Sequence, residues 1–541
     1  MTSLRKASKD NLAGIFIVLM GLAGAMVIVY ATRWGAIVYS DATEYILSAR
    51  SLLAGKGLGI PGPGGAFLPL TLHPPLFPLV LSGLGLLGLE PLEGARWLNV
   101  LLFGIVVILV SGTIYQFTRQ FILSVMLGFV IMMSPLFLEI FSSALAEPLF
   151  FVLGLLGFFL LVEYVGSPHY RLLIGASIAI GLACLARYTG FVLIISGTLF
   201  LLVFQRVTWR KNLVHLGIFG GISTGMVVAW MLPLYLRSQR FAARSLQPVD
   251  DLSTALREAR VALIDLGWSW IPFSQLFEPR PSYFIRGWFM IILLVVLVAL
   301  LAFLVWKRIR IQGKKFQETG LLRLLAIFGI FSVSYLAFIT FTSFFVSPRN
   351  DLNGRLLSPV YLSLLIFVFL ILTWALGGGR AGRWLVWLPT LGLALMVAGG
   401  FDKGIEFIRT NHREGAGYTS AAWTNSPTIR AVKELDPVIA LISNESAAIL
   451  FLTGRPTYDI SVLSNATSSE NDSRYGDDAG DPAQRLFRTD QAVLVIFPNS
   501  FYWQLFPIYG DRTQDRLDSL LDGLRVEQNL ADGVIYRYSQ P

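Results

Sequence analysis

Long apolar runs constrain the structure of this chain more than any other feature of its sequence. A helix that crosses the hydrocarbon core of a bilayer needs about 20 mostly apolar residues. By that criterion the candidate spans are 11–32, 93–118, 121–141, 148–165, 172–186, 190–205, 213–236, 285–306, 324–345, 356–376 and 384–401. The sequence thus predicts about 11 transmembrane helices, and a further tract at 74–89 is either a twelfth span or a helix lying in the interface.

The composition excludes most soluble classes. Of 541 residues, 55% are hydrophobic and 14% are charged, whereas soluble chains are about 45–50% apolar and about 25% charged. The net charge of +9 comes without a basic tract or a basic patch interleaved with aromatic residues, so it does not indicate a nucleic-acid partner. The single cysteine, Cys184, excludes an intrachain disulfide.

The distribution of Lys and Arg predicts how the chain is oriented in the membrane. With the N-terminus inside, the cytoplasmic loops hold 16 Lys and Arg in 49 residues, and the outer loops hold 12 in 127. Cytoplasmic loops are the ones enriched in these residues. The first apolar run is too long for a signal peptide and lacks a clean cleavage site after it, so we expect a retained first helix. We therefore predict a multi-pass cell-membrane protein with a cytoplasmic N-terminus and an extracytoplasmic C-terminal domain.

The chain changes character near residue 402. Residues 402–541 carry 13 basic and 19 acidic residues, against 30 and 15 in residues 1–401. The runs PVIALIS and AVLVIFP predict buried strands, SAAILFLTG predicts a helix closed by Gly454, and 464–482 is typical of a solvated loop. We therefore predict an α-helical polytopic membrane domain, 1–401, and a small extracytoplasmic α/β domain, 402–541.

A pair of acids follows the first span. Ser40 is predicted to cap a helix that begins at Asp41, and Asp41 and Glu44, three residues apart, would share a face of it, next to Tyr45. Acids at a helix N-terminus also suit the helix dipole, so a purely structural explanation stays open.

Other polar residues stand at predicted outer ends of spans. His73 precedes prolines that prevent a helix before residue 75, Glu147 opens the fourth span, and Arg187 with Tyr188 forms the turn between two short spans. Helix capping, dipole compensation and snorkelling are the structural alternatives.

Two arginines, Arg349 and Arg355, precede the span 356–376. Cations are disfavoured at a helix N-terminus, so an anionic ligand would explain them, with interface anchoring as the alternative. Acids, a histidine and arginines thus gather on the predicted outer face. Carboxylates there could deprotonate an acceptor hydroxyl, and arginines could hold a phosphate.

The order of these motifs resembles that of the polytopic GT-C glycosyltransferases, especially the bacterial protein O-mannosyltransferase and lipid A aminoarabinose transferase group. The shared motifs are Asp41-Ala-Thr-Glu44-Tyr45, His73-Pro-Pro-Leu-Phe-Pro, Ala-Glu147-Pro, Leu185-Ala-Arg187-Tyr188-Thr-Gly190 and Arg355-Leu-Leu-Ser-Pro359. The C-terminal segment resembles the outer domain of bacterial members at Gly417-Tyr-Thr-Ser-Ala-Ala-Trp, Ser443-Asn-Glu and Leu452-Thr-Gly-Arg455-Pro.

The resemblance implies transfer of a sugar from a polyprenyl-phosphate donor to a hydroxyl of a lipid, glycan or protein acceptor. It assigns the general base to Asp41, a second catalytic acid to Glu147, and the donor phosphate to Arg187 and Arg355. Further substrate-binding positions are Glu44, Tyr45, His73, Tyr188 and Arg349.

The chain departs from the family at two of these motifs. Ala42 stands where many members have Glu, and His73 stands where the aminoarabinose transferases have Lys, which indicates a different substrate. No cofactor is specified, and a divalent metal is left open because one histidine and scattered acids do not define a metal site.

The alternatives are a secondary transporter or lipid flippase, and a scaffold whose outer domain binds a partner. A transporter would show charges at mid-membrane and internal repeats. The charges here lie at span ends, and no repeat is evident in the sequence.

Overall fold

The computed structural model of the chain describes residues 2–205, 207–238, 245–246, 252–270, 281–289, 291–292, 320–347, 352–376, 401–460, 492–498, 521 and 523–538. The chain forms two compact units. The first is Met1–Ala31, Thr71–Phe77 and Trp97–Thr410, and the second is Thr32–Leu70, Pro78–Arg96 and Asn411–Pro541. The predicted division at residues 401 and 402 stays a prediction, and the compact unit that holds the C-terminal residues also contains two segments from before residue 97.

Helices dominate the chain up to residue 376. They are α1 (Thr2–Ala31), α2 (Ser40–Leu53), α3 (Leu76–Leu86), α4 (Pro91–Thr118), α5 (Phe121–Met133), α6 (Pro135–Ser142), α7 (Glu147–Gly166), α8 (Tyr170–Ala186), α9 (Phe191–Phe204), α10 (Trp209–Ser238), α11 (Leu252–Ser269), α12 (Gly320–Phe345) and α13 (Gly354–Leu376).

The multi-pass membrane architecture is confirmed. Within the described residues, six helices are long and apolar enough to cross a bilayer: Asp10–Ala31, Pro91–Thr118, Glu147–Gly166, Trp209–Leu236, Gly320–Phe345 and Gly354–Thr373. They correspond to six predicted spans, and α8 and α9 are shorter apolar helices, as the two short spans predicted. The predicted spans 285–306 and 384–401 lie mostly outside the described residues.

The predicted span 121–141 is not one straight helix. It consists of α5 and α6, which are bent by 60° relative to each other. Pro135 explains the break, because the residue before a proline is pushed out of the helical region, and Ser134 is extended, with φ −69° and ψ 119°.

The tract 74–89 contains only the 11-residue helix α3. Its length is about 16 Å, against about 30 Å for the hydrocarbon core, so α3 cannot span the membrane alone. The helix starts directly after the two prolines, as predicted.

The segment between the predicted spans 213–236 and 285–306 is partly structured in the described residues. It contains α11, and its strand β3 (Ser245–Leu246) pairs antiparallel with β4 (Val346–Ser347), just after α12.

The second unit contains α2, a hairpin of β1 (Gly59–Pro61) and β2 (Phe67–Pro69), and a small α/β fold. That fold comprises α14 (Ala421–Thr424), α15 (Pro427–Glu434), α16 (Ser446–Thr453), and strands β5 (Leu441–Ser443), β6 (Thr457–Asp459), β7 (Val493–Ile496), β8 (Leu524–Asn529) and β9 (Val534–Tyr538). The sheet order is β6-β5-β7-β9-β8. Strand β5 is parallel to β6 and β7, whereas β9 is antiparallel to β7 and β8.

The α/β prediction for the C-terminal residues is confirmed. Both apolar runs contain buried strands, β5 and β7. Helix α16 ends at Gly454, whose φ of +73° is the left-handed conformation that glycine adopts at little cost. The predicted loop 464–482 lies outside the described residues.

Candidate active site

Glu147 is the first residue of α7. Pro148 follows it in the first turn, where a missing amide hydrogen costs nothing. The Glu147 side chain is 1% exposed. A buried carboxylate is costly unless it is paired, so its partners decide what it can do.

Arg187 lies at the turn between α8 and α9. Its amide donates to the carbonyl of Ala183, and its carbonyl accepts from Gly190, at 2.8 Å. A Cβ at Gly190 would lie 2.6 Å from Cα of Cys184. Glycine is therefore required at residue 190. Its small size lets the turn that carries Arg187 pack closely against α8.

Arg355 lies in the first turn of α13. The side chain of Asn353 accepts a hydrogen bond from the amide of Leu356 at 2.8 Å, which caps the helix. Tyr335, fully buried on α12, donates its hydroxyl to the carbonyl of Leu356 at 2.8 Å. These bonds fix the position of the backbone that carries Arg355.

The three side chains meet in one cluster, the Glu147–Arg187–Arg355 triad. Nη1 of Arg187 and Nε of Arg355 both contact Oε1 of Glu147. Oε2 of Glu147 is buried, without a hydrogen-bond partner among the described residues. Arg187 is 16% exposed and Arg355 31%, so the arginines reach the surface of the site and the carboxylate does not. Within the triad, two cations and one anion leave one positive charge.

A partly open apolar cavity with a volume of about 30 Å³ lies along the same helices. Phe150 and Phe151 line it one turn after Glu147, and Pro359 lines it one turn after Arg355. Since a turn rises about 5 Å, the cavity and the triad are close neighbours. The other lining residues are Gly154, Leu155, Phe158, Leu193, Phe328, Phe331, Leu362 and Ser363.

Sequence reasoning missed two residues beside the triad. Tyr335 is close enough to Arg187 and Glu147 to interact with them electrostatically. Glu139, an acid on α6, is close enough to interact electrostatically with Arg355. An ionisable group inside an apolar segment is usually functional, so the lone acid in Pro135–Ser142 was the available signal for Glu139.

The remaining predicted residues of the first unit are not all placed. His73 is half-buried before α3. The hydroxyl of Tyr188 accepts from Nε1 of Trp230 at 3.4 Å. Arg349 lies outside the described residues.

Asp41, Glu44 and Tyr45 lie on α2, in the second unit. The helix begins at Ser40 rather than Asp41, and the predicted Ser40 cap is wrong: Tyr39 is the N-cap, and its side chain does not cap the helix. Asp41 and Glu44 are half-buried, and Tyr45 is 2% exposed.

Within the described residues, no group of three His, Cys, Asp or Glu side chains could hold a metal ion. The triad does not fit a cation either, because two guanidinium groups contact the carboxylate that would have to bind it. The divalent metal stays a prediction from the sequence.

Comparison with known proteins relates this architecture to glycosyltransferases. Residues 72–230 match the model of the dolichyl-phosphate-mannose-protein mannosyltransferase family. That range contains His73, Glu147, Arg187 and Tyr188. No curated protein sequence matches the chain.

Solved structures extend the likeness over nearly the whole chain. ArnT from Cupriavidus metallidurans, bound to undecaprenyl phosphate, aligns with a TM-score of 0.54 and 14% identity over 96% of this chain and 98% of that one. The apo ArnT structure gives the same score and identity, with 97% of that chain covered. The chain has the GT-C fold. The predicted fold class and the resemblance to GT-C glycosyltransferases are thereby confirmed.

A third solved structure aligns less well. The Archaeoglobus fulgidus oligosaccharyltransferase in complex with Zn and sulfate gives a TM-score of 0.49 and 15% identity, over 93% of this chain and 71% of that one.

Proposed function

We propose that this protein transfers a sugar from a polyprenyl-phosphate donor to an acceptor hydroxyl on the extracytoplasmic face of the membrane. One observation carries the proposal: two partly exposed arginines are held by a buried glutamate beside an apolar cavity. The family match across residues 72–230 supports sugar transfer as the reaction class.

The donor is inferred from the two chemistries that meet in the first unit. Arginine donates charge-assisted hydrogen bonds that fit a phosphate, and an apolar cavity favours a hydrocarbon tail. A polyprenyl phosphate carries both groups on one molecule. The ArnT structure bound to undecaprenyl phosphate is a neighbour in fold and supports this class of ligand.

The proposed reaction is a displacement at the anomeric carbon. The acceptor oxygen forms a bond to that carbon as the bond to the phosphate oxygen breaks, and the acceptor proton passes to the carboxylate of Asp41. Arg187 and Arg355 stabilise the phosphate, which gains negative charge as it leaves. Glu44, Tyr45, His73, Tyr188 and Arg349 are proposed to bind substrate, as the motif order implies.

Glu147 has a different part in this proposal from Asp41. Its carboxylate is buried and contacts both arginines, so it is poorly placed to reach an acceptor hydroxyl. We propose that Glu147 holds the two guanidinium groups in a fixed geometry.

The proposed orientation follows from the loop charges. Glu147 begins α7, Arg187 follows α8, and Arg355 begins α13, which are the ends predicted to face outward. The acceptor is a lipid, a glycan or a protein, and the sugar is a hexose or a pentose.

Binding and transfer assays on the full chain in nanodiscs test the proposal. Polyprenyl phosphate should bind, whereas uncharged polyprenol should bind at least about tenfold more weakly, because losing a hydrogen bond to a charged group costs about 1.5–3 kcal/mol. Arg187→Gln and Arg355→Gln should show the same loss. Arg171→Gln, exposed at the opposite end of α8, is the matched control and should bind like the wild type.

Transfer of labelled sugar from a polyprenyl-phosphate donor into a membrane extract completes the test. Equal binding of the phosphate and the alcohol, or no transfer with any hexosyl or pentosyl donor, would overturn the proposal. Movement of labelled lipid across vesicles without sugar transfer would instead favour a flippase.

A further inference from the structure

The segment that leads into α2 is bonded to a turn from the C-terminal part of the chain. Val38 forms a bridge with Gly417, and the amide of Tyr418 donates to the carbonyl of Val38 at 2.9 Å. The hydroxyl of Thr419 donates to the carbonyl of Ala36, also at 2.9 Å. Ala36 and Val38 are fully buried, so these bonds are shielded from water.

A second contact lies upstream and depends on a close approach. Nε1 of Trp34 donates to the carbonyl of Arg413 at 3.1 Å. Gly417 has a φ of +62°, and a Cβ there would lie 2.3 Å from the carbonyl oxygen of Val38. No other residue type fits this position without moving the backbone segments around Val38 and Gly417 apart.

The last turn of α2 also contacts α16. The guanidinium of Arg50 lies 5.6 Å from the ring centre of Phe451, and the ring of Tyr418 lies 6.5 Å from the same ring. The hydroxyl of Tyr418 donates to Glu445, which precedes α16, at 3.2 Å. Residues beyond 410 therefore contact both the segment that leads into α2 and the last turn of the helix.

We propose that Gly417 and Thr419 are positioning residues for Asp41, so that the C-terminal domain is part of the transfer machinery and not only an outer attachment. Asp41 follows Val38 by three residues and lies in the first turn of α2. A displacement of about 1 Å in a reacting group can lower a rate about 100-fold, and the bonds at Ala36 and Val38 limit such a displacement. This inference rests on the proposed function and on Asp41 as the base.

The test uses three variants of the full chain in nanodiscs. Thr419→Val removes the hydroxyl donor with little change in shape, Thr419→Ser restores it, and Gly417→Ala places a methyl group against Val38. Thr424→Val is the control, because Thr424 is exposed and its hydroxyl donates locally, to the carbonyls of Ser420 and Ala421. Hydrogen exchange of residues 34–45 is measured beside kcat and the donor KM.

Thr419→Val should speed exchange of residues 34–45 about tenfold and lower kcat about tenfold, with the donor KM within twofold of wild type. Thr419→Ser should recover most of kcat. Gly417→Ala should lower kcat more than Thr419→Val does. Faster exchange with an unchanged kcat, or no change in either, would overturn the positioning role. If the wild type transfers no sugar, the proposed function fails and this inference fails with it; a wild type that is active beside unaffected variants removes the inference alone.

Discussion

Arg355 donates its Nε hydrogen to Oε1 of Glu147, across 208 residues of sequence. Arg187 contacts the same oxygen. A single carboxylate thus connects the N-terminal end of α13 to the turn after α8, and the geometry of the proposed phosphate site depends on this carboxylate.

Removing the charge of Glu147 should destabilise the protein. Glu147→Gln leaves two partly buried guanidinium groups without their common partner, and breaking a buried pair in this way costs about 3 kcal/mol. We expect a lower unfolding temperature in detergent and weaker binding of polyprenyl phosphate. Glu163→Gln, an exposed position near the other end of α7, should unfold as the wild type does; an equal effect of both variants would contradict the holding role.

Lysine should not replace Arg355. It keeps the charge but lacks the planar fork that holds two oxygens at once, so Arg355→Lys should bind polyprenyl phosphate about tenfold more weakly while it folds normally. The affinity is measured by titration in nanodiscs. Wild-type affinity for Arg355→Lys would show that charge alone suffices.

Asp41→Asn should slow transfer strongly without affecting donor binding. A general base contributes about 100-fold or more to the rate, and the amide cannot accept the proton, so kcat should fall at least about 100-fold. Glu93→Gln, an acid of the same unit whose side chain is 45% exposed and pairs with Arg96, serves as the control. Transfer by Asp41→Asn at more than a tenth of the wild-type rate would remove Asp41 as the base.

The apolar cavity can be filled from Gly154. A Cβ at this residue would lie 3.3 Å from Cδ1 of Leu193, so the longer side chain of Gly154→Leu must occupy cavity space. We expect weaker binding of polyprenyl phosphate and unchanged binding of inorganic phosphate, both measured by calorimetry. Gly217→Leu, where no atom lies within 4 Å of a Cβ, should change neither. A parallel loss for both ligands would place the tail elsewhere.

The contact between Tyr418 and Glu445 should make stability depend on pH in the alkaline range. Burial first, and then the charge of Glu445, raise the pKa of Tyr418, so the folded protein holds this proton more tightly than the unfolded chain. The resulting stability is fully present below about pH 10, the ordinary pKa of tyrosine, and is lost as the pH rises above it. Unfolding temperatures from pH 8 to 11 should fall more steeply for the wild type than for Tyr418→Phe, with Tyr458→Phe as control; parallel curves would contradict this.

The sequence predicted the members of the triad but not their contact. Glu147, Arg187 and Arg355 could each be placed at a helix end, because apolar runs and prolines mark where helices begin and end. Their meeting depends on how α7, α8 and α13 pack, and side-chain patterning does not encode that packing in a membrane, where most helix faces are apolar.

The bend between α5 and α6 and the bridge between Val38 and Gly417 show two further limits. Pro135 indicates a bend, but the continuous apolar run around it favoured the prediction of one straight span. The bridge joins backbone atoms 379 residues apart, a pairing that side-chain chemistry does not specify. The left-handed glycine at 417 indicates a turn, but not the strand of chain that the turn meets.

The positive charge of the triad has a consequence for the end of the proposed catalytic cycle. A polyprenyl-phosphate sugar is a phosphodiester with one negative charge, whereas the lipid released after transfer is a monoester with a charge of about −1.5 to −2 at neutral pH. Arginines that favour negative charge will therefore retain the spent carrier more strongly than the donor. Polyprenyl phosphate is therefore expected to inhibit the proposed reaction by competing with fresh donor for the two arginines.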